Sequence, residues 1–285
     1  MAYFEFEIPV KSWSGSEREI LLARMLMIGF EGFAESEDLL QAYIPEEDFD
    51  EVLFNGLIED LASGGLNLQY RFHRSEDQNW NQEWEKKFDP VFIKEKVLIR
   101  APFHASDQDL PCTLVIEPKM SFGTGHHFTT RLMIEAMMDM ELEGLNVLDM
   151  GTGTGVLGIY ACFRGAGRVL GVDNDQWAYE NALENAARNG ADLLEIRLGD
   201  AASLGEEIFD LVLANITRNT LVRDMPIYVN HLKRGGTLLI SGVLEEDVLF
   251  IFNAAYSLGL DHLASAEAEG WMALTFVLPP EKQER

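Results

Sequence analysis

From Asn146 to the C-terminal region, strand-like apolar runs and amphipathic helical runs follow one another at close, regular spacing. NVLDM reads as a strand, TGVLGIYACFRG as a helix, RVLGVD as a strand and QWAYENALENAARNG as a helix. LEIRL and FDLVLAN are strands, TRNTLVRDMPIYVNHL is a helix in spite of Pro226, GGTLLISG is a strand and EEDVLFIFNAAYSLG a helix. Strands separated by helices of this length must cross over and pair in parallel, which predicts a doubly wound α/β sheet. The last two strand-like runs, about Leu260 to Ala268 and Trp271 to Leu278, have only Glu269-Gly270 between them. So short a link makes a hairpin, and at least one terminal strand runs antiparallel.

The loop after the first of these strands reads DMGTGTG, Asp149 to Gly155. In an open parallel sheet ligands bind at the carboxyl ends of the strands. Gly151, Gly153 and Gly155 would let a ligand approach the backbone there. Gly153, Gly155 and Gly158 satisfy the GxGxxG spacing of a dinucleotide site, and Asp173 follows Gly153 by 20 residues. The acidic residues favour another ligand. A carboxylate at Asp149 would repel a pyrophosphate but suit a cationic one, directly or through water. Asp173 ends the next strand, where it can accept from both hydroxyls of a ribose. Asp200, after LEIRL, is placed to meet the edge of an adenine. Three acids at successive strand ends behind a glycine loop point to S-adenosylmethionine, a nucleoside without phosphates, and a reversed last strand fits the same class.

Ahead of this region the sequence is organised differently. Residues 1–72 follow a β-α-β-β-α-β order: Tyr3 to Val10 as a strand, Ser16 to Ile28 as a helix capped by Ser16, and Phe33-Ala34 and Leu39 to Ile44 as strands. A second helix is expected from Pro45 to about Leu61, and a strand over Leu66 to Phe72. That order suggests a ferredoxin-like α+β domain. In DQNWNQEWEKKFDPVF, Trp80, Trp84 and Phe88 recur every four residues. They share one helix face, which marks residues 73–90 as a linker helix before a catalytic domain over 91–285.

The formal charge of −26 disfavours direct binding to a nucleic-acid backbone, which needs a positive stripe. Glu31 to Asp60 holds eleven acidic residues and no Lys or Arg, a solvated surface or a docking face for a basic protein. No apolar run is long enough to cross a membrane. Two separated cysteines and the absence of a signal-peptide pattern set a reduced, cytoplasmic location as the expectation.

One further stretch stands out, SFGTGHHFTT from Ser121 to Thr130, a second glycine loop just ahead of the first. Together with VLDMGTGTGVLGIYA, GVDNDQWAYENALENAARNG, DLVLANI and LKRGGTLLISGVL it closely resembles the methyltransferases of ribosomal protein L11. The resemblance runs from about Trp80 to Val277, and the leading domain matches that family in length and pattern. It implies a class I methyltransferase with a Rossmann-like seven-stranded sheet and S-adenosylmethionine as donor. It implies cofactor contacts at Thr130, Gly151, Asp173 and Asn215, with the first loop, including Phe122 and Gly123, as a lid over the methionine end and the second as the floor. It also implies a target, ribosomal protein L11, free or on the large subunit, methylated on lysine side chains and its N-terminal amine. The leading domain would select that target.

Several expectations complete this reading. Asn215 orients the accepting amine. No metal is expected, since His126 and His127 are adjacent on a loop and have no further ligands at metal spacing. A base as acceptor is disfavoured, because ANIT lacks the Pro-Pro-aromatic continuation of exocyclic-amine methyltransferases. The chain is expected to act as a monomer. Other acceptors on the same fold, or a non-catalytic ribosome-associated module, are the alternatives. Ile216-Thr217-Arg218-Asn219 departs from the family's small, apolar continuation after Asn215, on the acceptor side of the site.

Overall fold

A computed structural model of the chain describes residues 3–11, 13–36, 38–63, 66–75, 88–105, 110–119 and 122–280. The chain divides into two compact units, Met1–Phe88 and Asp89–Arg285.

The first unit runs β1 (Tyr3–Pro9), α1 (Gly15–Met27), β2 (Gly32–Glu35), β3 (Leu39–Pro45), α2 (Glu51–Ser63) and β4 (Arg71–Ser75). Its sheet has the order β2-β3-β1-β4 with every neighbour antiparallel, which is the ferredoxin-like arrangement. Alternate residues of β1 point inward, so Phe6 and Ile8 are buried with Leu21, Met25, Phe30 and Phe54. Phe6 stacks on Phe72 at 5.1 Å and tilts against Phe54 at 4.8 Å. Each such side chain contributes roughly 1.5–3 kcal/mol on burial.

Three local expectations are corrected. Helix α1 is capped by Ser14, not Ser16. The Glu17 carboxylate accepts from Ser14 N at 2.6 Å while Ser14 Oγ accepts from Glu17 N at 3.4 Å, a capping box. Pro45 ends β3 opposite Tyr3 and does not start α2. Its fixed φ suits an extended strand end as well as a first helical turn. The cap is Asp50, whose Oδ1 accepts from Val52 N at 2.8 Å and Leu53 N at 3.2 Å. The fourth strand lies at 71–75 rather than 66–72, because Phe72 pairs with Phe6 and Ser75 with Tyr3. Residues 73–75, assigned to the linker helix, are therefore strand. Residues 76–87 of that helix, with Trp80 and Trp84, lie outside the described residues, and 88–90 are neither helix nor strand.

The second unit opens with a three-stranded sheet, β5 (Val91–Ile93), β6 (Val97–Arg100) and β7 (Cys112–Val115), followed by α3 (Phe128–Met138). Then come β8 (Asn146–Met150), α4 (Val156–Phe163), β9 (Arg168–Asp173), α5 (Gln176–Arg188) and β10 (Leu194–Leu198). The unit continues with a 3₁₀ turn (Ala201–Leu204), β11 (Phe209–Asn215), α6 (Arg218–Asn230), β12 (Leu232–Leu244), α7 (Val248–Ser257), β13 (Asp261–Ala268) and β14 (Trp271–Val277). The main sheet has the order β10-β9-β8-β11-β12-β14-β13. Strands β8 to β12 pair in parallel, and β14 is antiparallel to both of its neighbours. This is the class I methyltransferase sheet.

Successive residues of a strand face opposite sides, which splits the core in two. Val147 packs with Met133, Ile134 and Leu157 on the face covered by α3, α4 and α5. Leu148 and Met150 pack with Leu221, Met225 and Tyr228 on the face covered by α6 and α7. The order reverses between β8 and β11: the crossover from β8 leads to β9 on one side, and β11 lies on the other. At such a switch point the carboxyl ends of neighbouring strands leave a crevice. Among the described residues no helix is long and apolar enough to cross a membrane.

Candidate functional site

The crevice is a cavity of about 410 Å³ at the carboxyl ends of β8, β9, β10 and β11, within the size range of small-molecule sites. Gly151, Gly153, Asp173, Asp200, Asn215 and Phe122, all singled out in the sequence, line it.

The glycine loop holds a shape that side chains would forbid. At Gly151 φ is +68°, and a Cβ would lie 2.4 Å from Ile216 Cγ2. At Gly153 φ is +56°, and a Cβ would lie 2.2 Å from the Phe122 carbonyl oxygen. Non-glycine residues seldom enter this left-handed region, and the second contact is with backbone that has no side-chain rotation to relieve it.

That contact explains why two glycine loops stand so close together. Thr154 N donates to Phe122 O at 2.9 Å, and Thr154 Oγ1 donates to Gly123 O at 2.7 Å. One threonine thus fastens the first loop to the second. The first loop is anchored at its other end by His127, which caps α3. Its Nδ1 accepts from Thr129 N at 3.3 Å and lies 2.8 Å from Thr129 Oγ1. The His127 ring packs between Phe122 at 5.2 Å and Trp271 at 4.8 Å. Burial holds its pKa below the usual histidine value, so it caps the helix as a neutral imidazole with Nδ1 unprotonated. His126 acts elsewhere in the loop. Its Nε2 lies 2.9 Å from Asp89 O, and its Nδ1 lies 3.2 Å from Thr124 Oγ1. The two rings are occupied as loop fasteners. Among the described residues, no cluster of three or more His, Cys, Asp or Glu is arranged to hold a metal.

The three acids take different positions. Asp173 Oδ2 accepts from Gly153 N at 2.9 Å and Oδ1 from Asp175 N at 3.1 Å. Each carboxylate oxygen has further lone-pair capacity for a ligand in the cavity. Asp200 caps the 3₁₀ turn through Ala202 N at 3.0 Å and also lines the cavity. Asp149 is not among the lining residues. It lies one residue before Met150, hence on the opposite face of β8, and is 1% exposed. Its Oδ2 accepts from Thr152 Oγ1 at 2.6 Å and Gly158 N at 3.1 Å. Burial pushes it up to about 6, although those two hydrogen bonds pull the other way. Asp149 therefore braces the loop from behind. Thr130 and Gly123 also lie outside the lining.

Among the described residues, Arg100 Nε, Thr130 Oγ1, Asn181 Oδ1, Asn215 Oδ1 and Tyr228 Oη are buried with no hydrogen-bond partner. A buried polar atom left so costs about 1–3 kcal/mol, and two of these residues, Asn215 and Tyr228, line the cavity. The sequence reading did not find Tyr228, Asp224, Arg223 or Thr220, all on the cavity side of α6. Leu221, Met225 and Tyr228 have the spacing of an ordinary apolar helix face, which hid them; the only signal was an Asp and a Tyr four residues apart on that face. Beyond Asn215, Ile216 and Thr217 line the cavity mouth. Arg218 pairs with Asp247 and lies 5.4 Å over the Phe250 ring.

The residues fit a nucleoside methyl donor: glycines for close approach, a carboxylate for a diol, an acid for a base edge, and unsatisfied polar atoms along the wall. Comparison with known proteins agrees. The family model described as "Ribosomal protein L11 methyltransferase (PrmA)" matches residues 23–279. The chain is 45% identical over 260 residues to the ribosomal protein L11 methyltransferase of Porphyromonas gingivalis, covering 90% of each chain. It is 38% identical over 278 residues to that of Bacteroides thetaiotaomicron, covering 97% of this chain and 99% of the relative. A crystal structure of ribosomal protein L11 methylase from Lactobacillus delbrueckii subsp. bulgaricus superposes with a TM-score of 0.62 at 25% identity, over 67% of this chain and 100% of the other. With a family match across both units and relatives aligned over nearly the whole length, the chain belongs to the ribosomal protein L11 methyltransferase family.

Proposed function

We propose that the chain transfers methyl groups from S-adenosylmethionine, held in the β8–β11 cavity, to amino groups of ribosomal protein L11, on lysine side chains and the N-terminal amine. The carrying observation is the alignment of Gly151, Gly153, Asp173, Asp200 and Asn215 along one cavity. In this reading Asp173 accepts from both ribose hydroxyls, Asp200 faces the base, and the Gly151–Gly153 backbone lies against the amino-acid portion. Thr130 and the Phe122-Gly123 loop close over that end, and Asp149, buried behind the loop, adds a stabilising negative charge to a cationic ligand.

The bound donor supplies an electrophilic methyl on a sulfonium. What remains for the chain is to hold a neutral amine in line with it. A lysine with a pKa near 10.4 costs roughly 4–5 kcal/mol to deprotonate at pH 7. A water-poor cavity lowers that cost by disfavouring the ammonium form. Asn215 Oδ1, buried at the end of β11 with no partner among the described residues, accepts an N–H from the amine and points its lone pair at the methyl. No side chain is required to take the proton if it leaves to water before the amine enters.

The first unit is the target-selecting domain in this proposal. A protein that binds ribosomal RNA carries Lys and Arg for the phosphates, and the acidic run Glu31 to Asp60 complements such a surface. The chain works as a monomer in the cytoplasm, recognises the protein and not the RNA, and uses no metal.

Radiolabelled donor mixed with the chain and with large subunits from cells lacking this activity is expected to label L11 alone. Label confined to other acceptors would overturn the proposal. Asn215→Ala in the same assay is expected to lower kcat by roughly 30-fold, since a hydrogen bond of this kind is worth about 2 kcal/mol. Normal turnover at saturating donor and acceptor would remove Asn215 from the reaction.

A further inference from the structure

The cavity is a slot with the carboxyl ends of the strands on one side and α6 on the other. Its apolar wall is Met150, Val172 and Ala201. Asp200 lies beside it, already tied by one oxygen to Ala202 N. On α6 the slot meets Tyr228, which is 1% exposed. The Tyr228 hydroxyl has no hydrogen-bond partner among the described residues. Asp224, one turn earlier, is paired with Arg223, which donates to both of its oxygens, at 2.6 and 2.7 Å.

A phenylalanine would fill the same volume without a hydroxyl to satisfy, so packing alone gives no reason for the phenol oxygen. Burial and the Asp224 charge raise the Tyr228 pKa above its ordinary value, and the group stays a neutral hydroxyl able to donate and to accept. An apolar wall with a carboxylate and a phenol on its border suits a heteroaromatic ring with polar groups along one edge.

We propose that Tyr228 is a base-specificity residue: its hydroxyl pairs with the adenine edge that carries the exocyclic amine, opposite the apolar wall of Met150, Val172 and Ala201. This rests on the cavity being the S-adenosylmethionine site. It adds to that site a group from α6, a helix away from both glycine loops. The slot thereby selects the base through a side chain, independently of the ribose and methionine contacts.

The test is calorimetric, on the full chain, with S-adenosylhomocysteine and its 6-deamino analogue. Tyr228→Phe is expected to bind S-adenosylhomocysteine about tenfold more weakly than the wild type. The analogue, which lacks the amine, should bind the two proteins within about twofold of each other. The ligand-free variant should melt at or above the wild-type temperature, because an unsatisfied buried hydroxyl has been removed. Equal affinity of both proteins for S-adenosylhomocysteine would overturn the inference. So would an equal loss for both ligands, which would indicate a change of shape, and so would a ligand-free variant that melts several degrees lower. If the wild type bound no S-adenosylhomocysteine, the cofactor reading itself would fall, and this inference with it.

Discussion

Asp173→Ala is expected to lower the affinity for S-adenosylhomocysteine by at least about 100-fold. Two hydroxyls donating to one carboxylate form charge-assisted hydrogen bonds of roughly 1.5–3 kcal/mol each. Losing both amounts to about 3–6 kcal/mol, and each 1.4 kcal/mol is a factor of ten in affinity. The substitution also frees Gly153 N and Asp175 N, which the carboxylate holds at 2.9 and 3.1 Å, so the loop and the ribose site loosen together. Asp173→Asn should fall between, since the amide keeps one accepting oxygen. A 2′-deoxy ligand separates the two contributions: it should bind the wild type more weakly, yet lose less than the parent ligand on Asp173→Ala. A change under about threefold for the parent ligand would show that the diol is bound elsewhere.

Gly153→Ala is expected to combine a loss of donor binding with a fall in melting temperature of about 10 °C. A left-handed φ costs an alanine about 1–2 kcal/mol. The new methyl would meet the Phe122 carbonyl at 2.2 Å, so the first loop must withdraw. That movement breaks the Thr154 N–Phe122 O and Thr154 Oγ1–Gly123 O hydrogen bonds, each worth about 1 kcal/mol net. The sum, about 3–4 kcal/mol, corresponds to roughly 6–16 °C in a unit of this size, which brackets the stated shift. Differential scanning calorimetry with and without ligand measures both effects. A variant that melts like the wild type and still shows ligand stabilisation would mean that the loops are not packed as described.

What could be read from the sequence was what depends on short-range pattern. The strand–loop–helix at NVLDMGTGTG, the acid closing RVLGVD and the hairpin at Glu269-Gly270 carry their periodicity and turn chemistry within a few residues. The misplaced features depend on groups that sequence alone does not pair. Pro45 is compatible with both a strand end and a helix start, and only the Asp50 cap decides between them. Ser14 and Ser16 are equally good caps by composition, and the reciprocal bonds with Glu17 choose the first. Asp149 was expected beside the ligand, but strand alternation puts it on the other face from Met150 and Tyr228. The fastening of one glycine loop by Thr154 of the other spans about thirty residues with no local signal, and Tyr228 on its helix face reads as plain core.

The placement of β14 bears on how the nascent chain matures. This strand, the last in chain order, lies inside the sheet between β12 and β13, so the seven-stranded sheet cannot be completed until Trp271 to Val277 are available. Until then β12 and β13 expose unsatisfied edges prone to sticking to other chains. A chain truncated before Trp271 would therefore leave both edges uncovered and is expected to aggregate where the full chain does not.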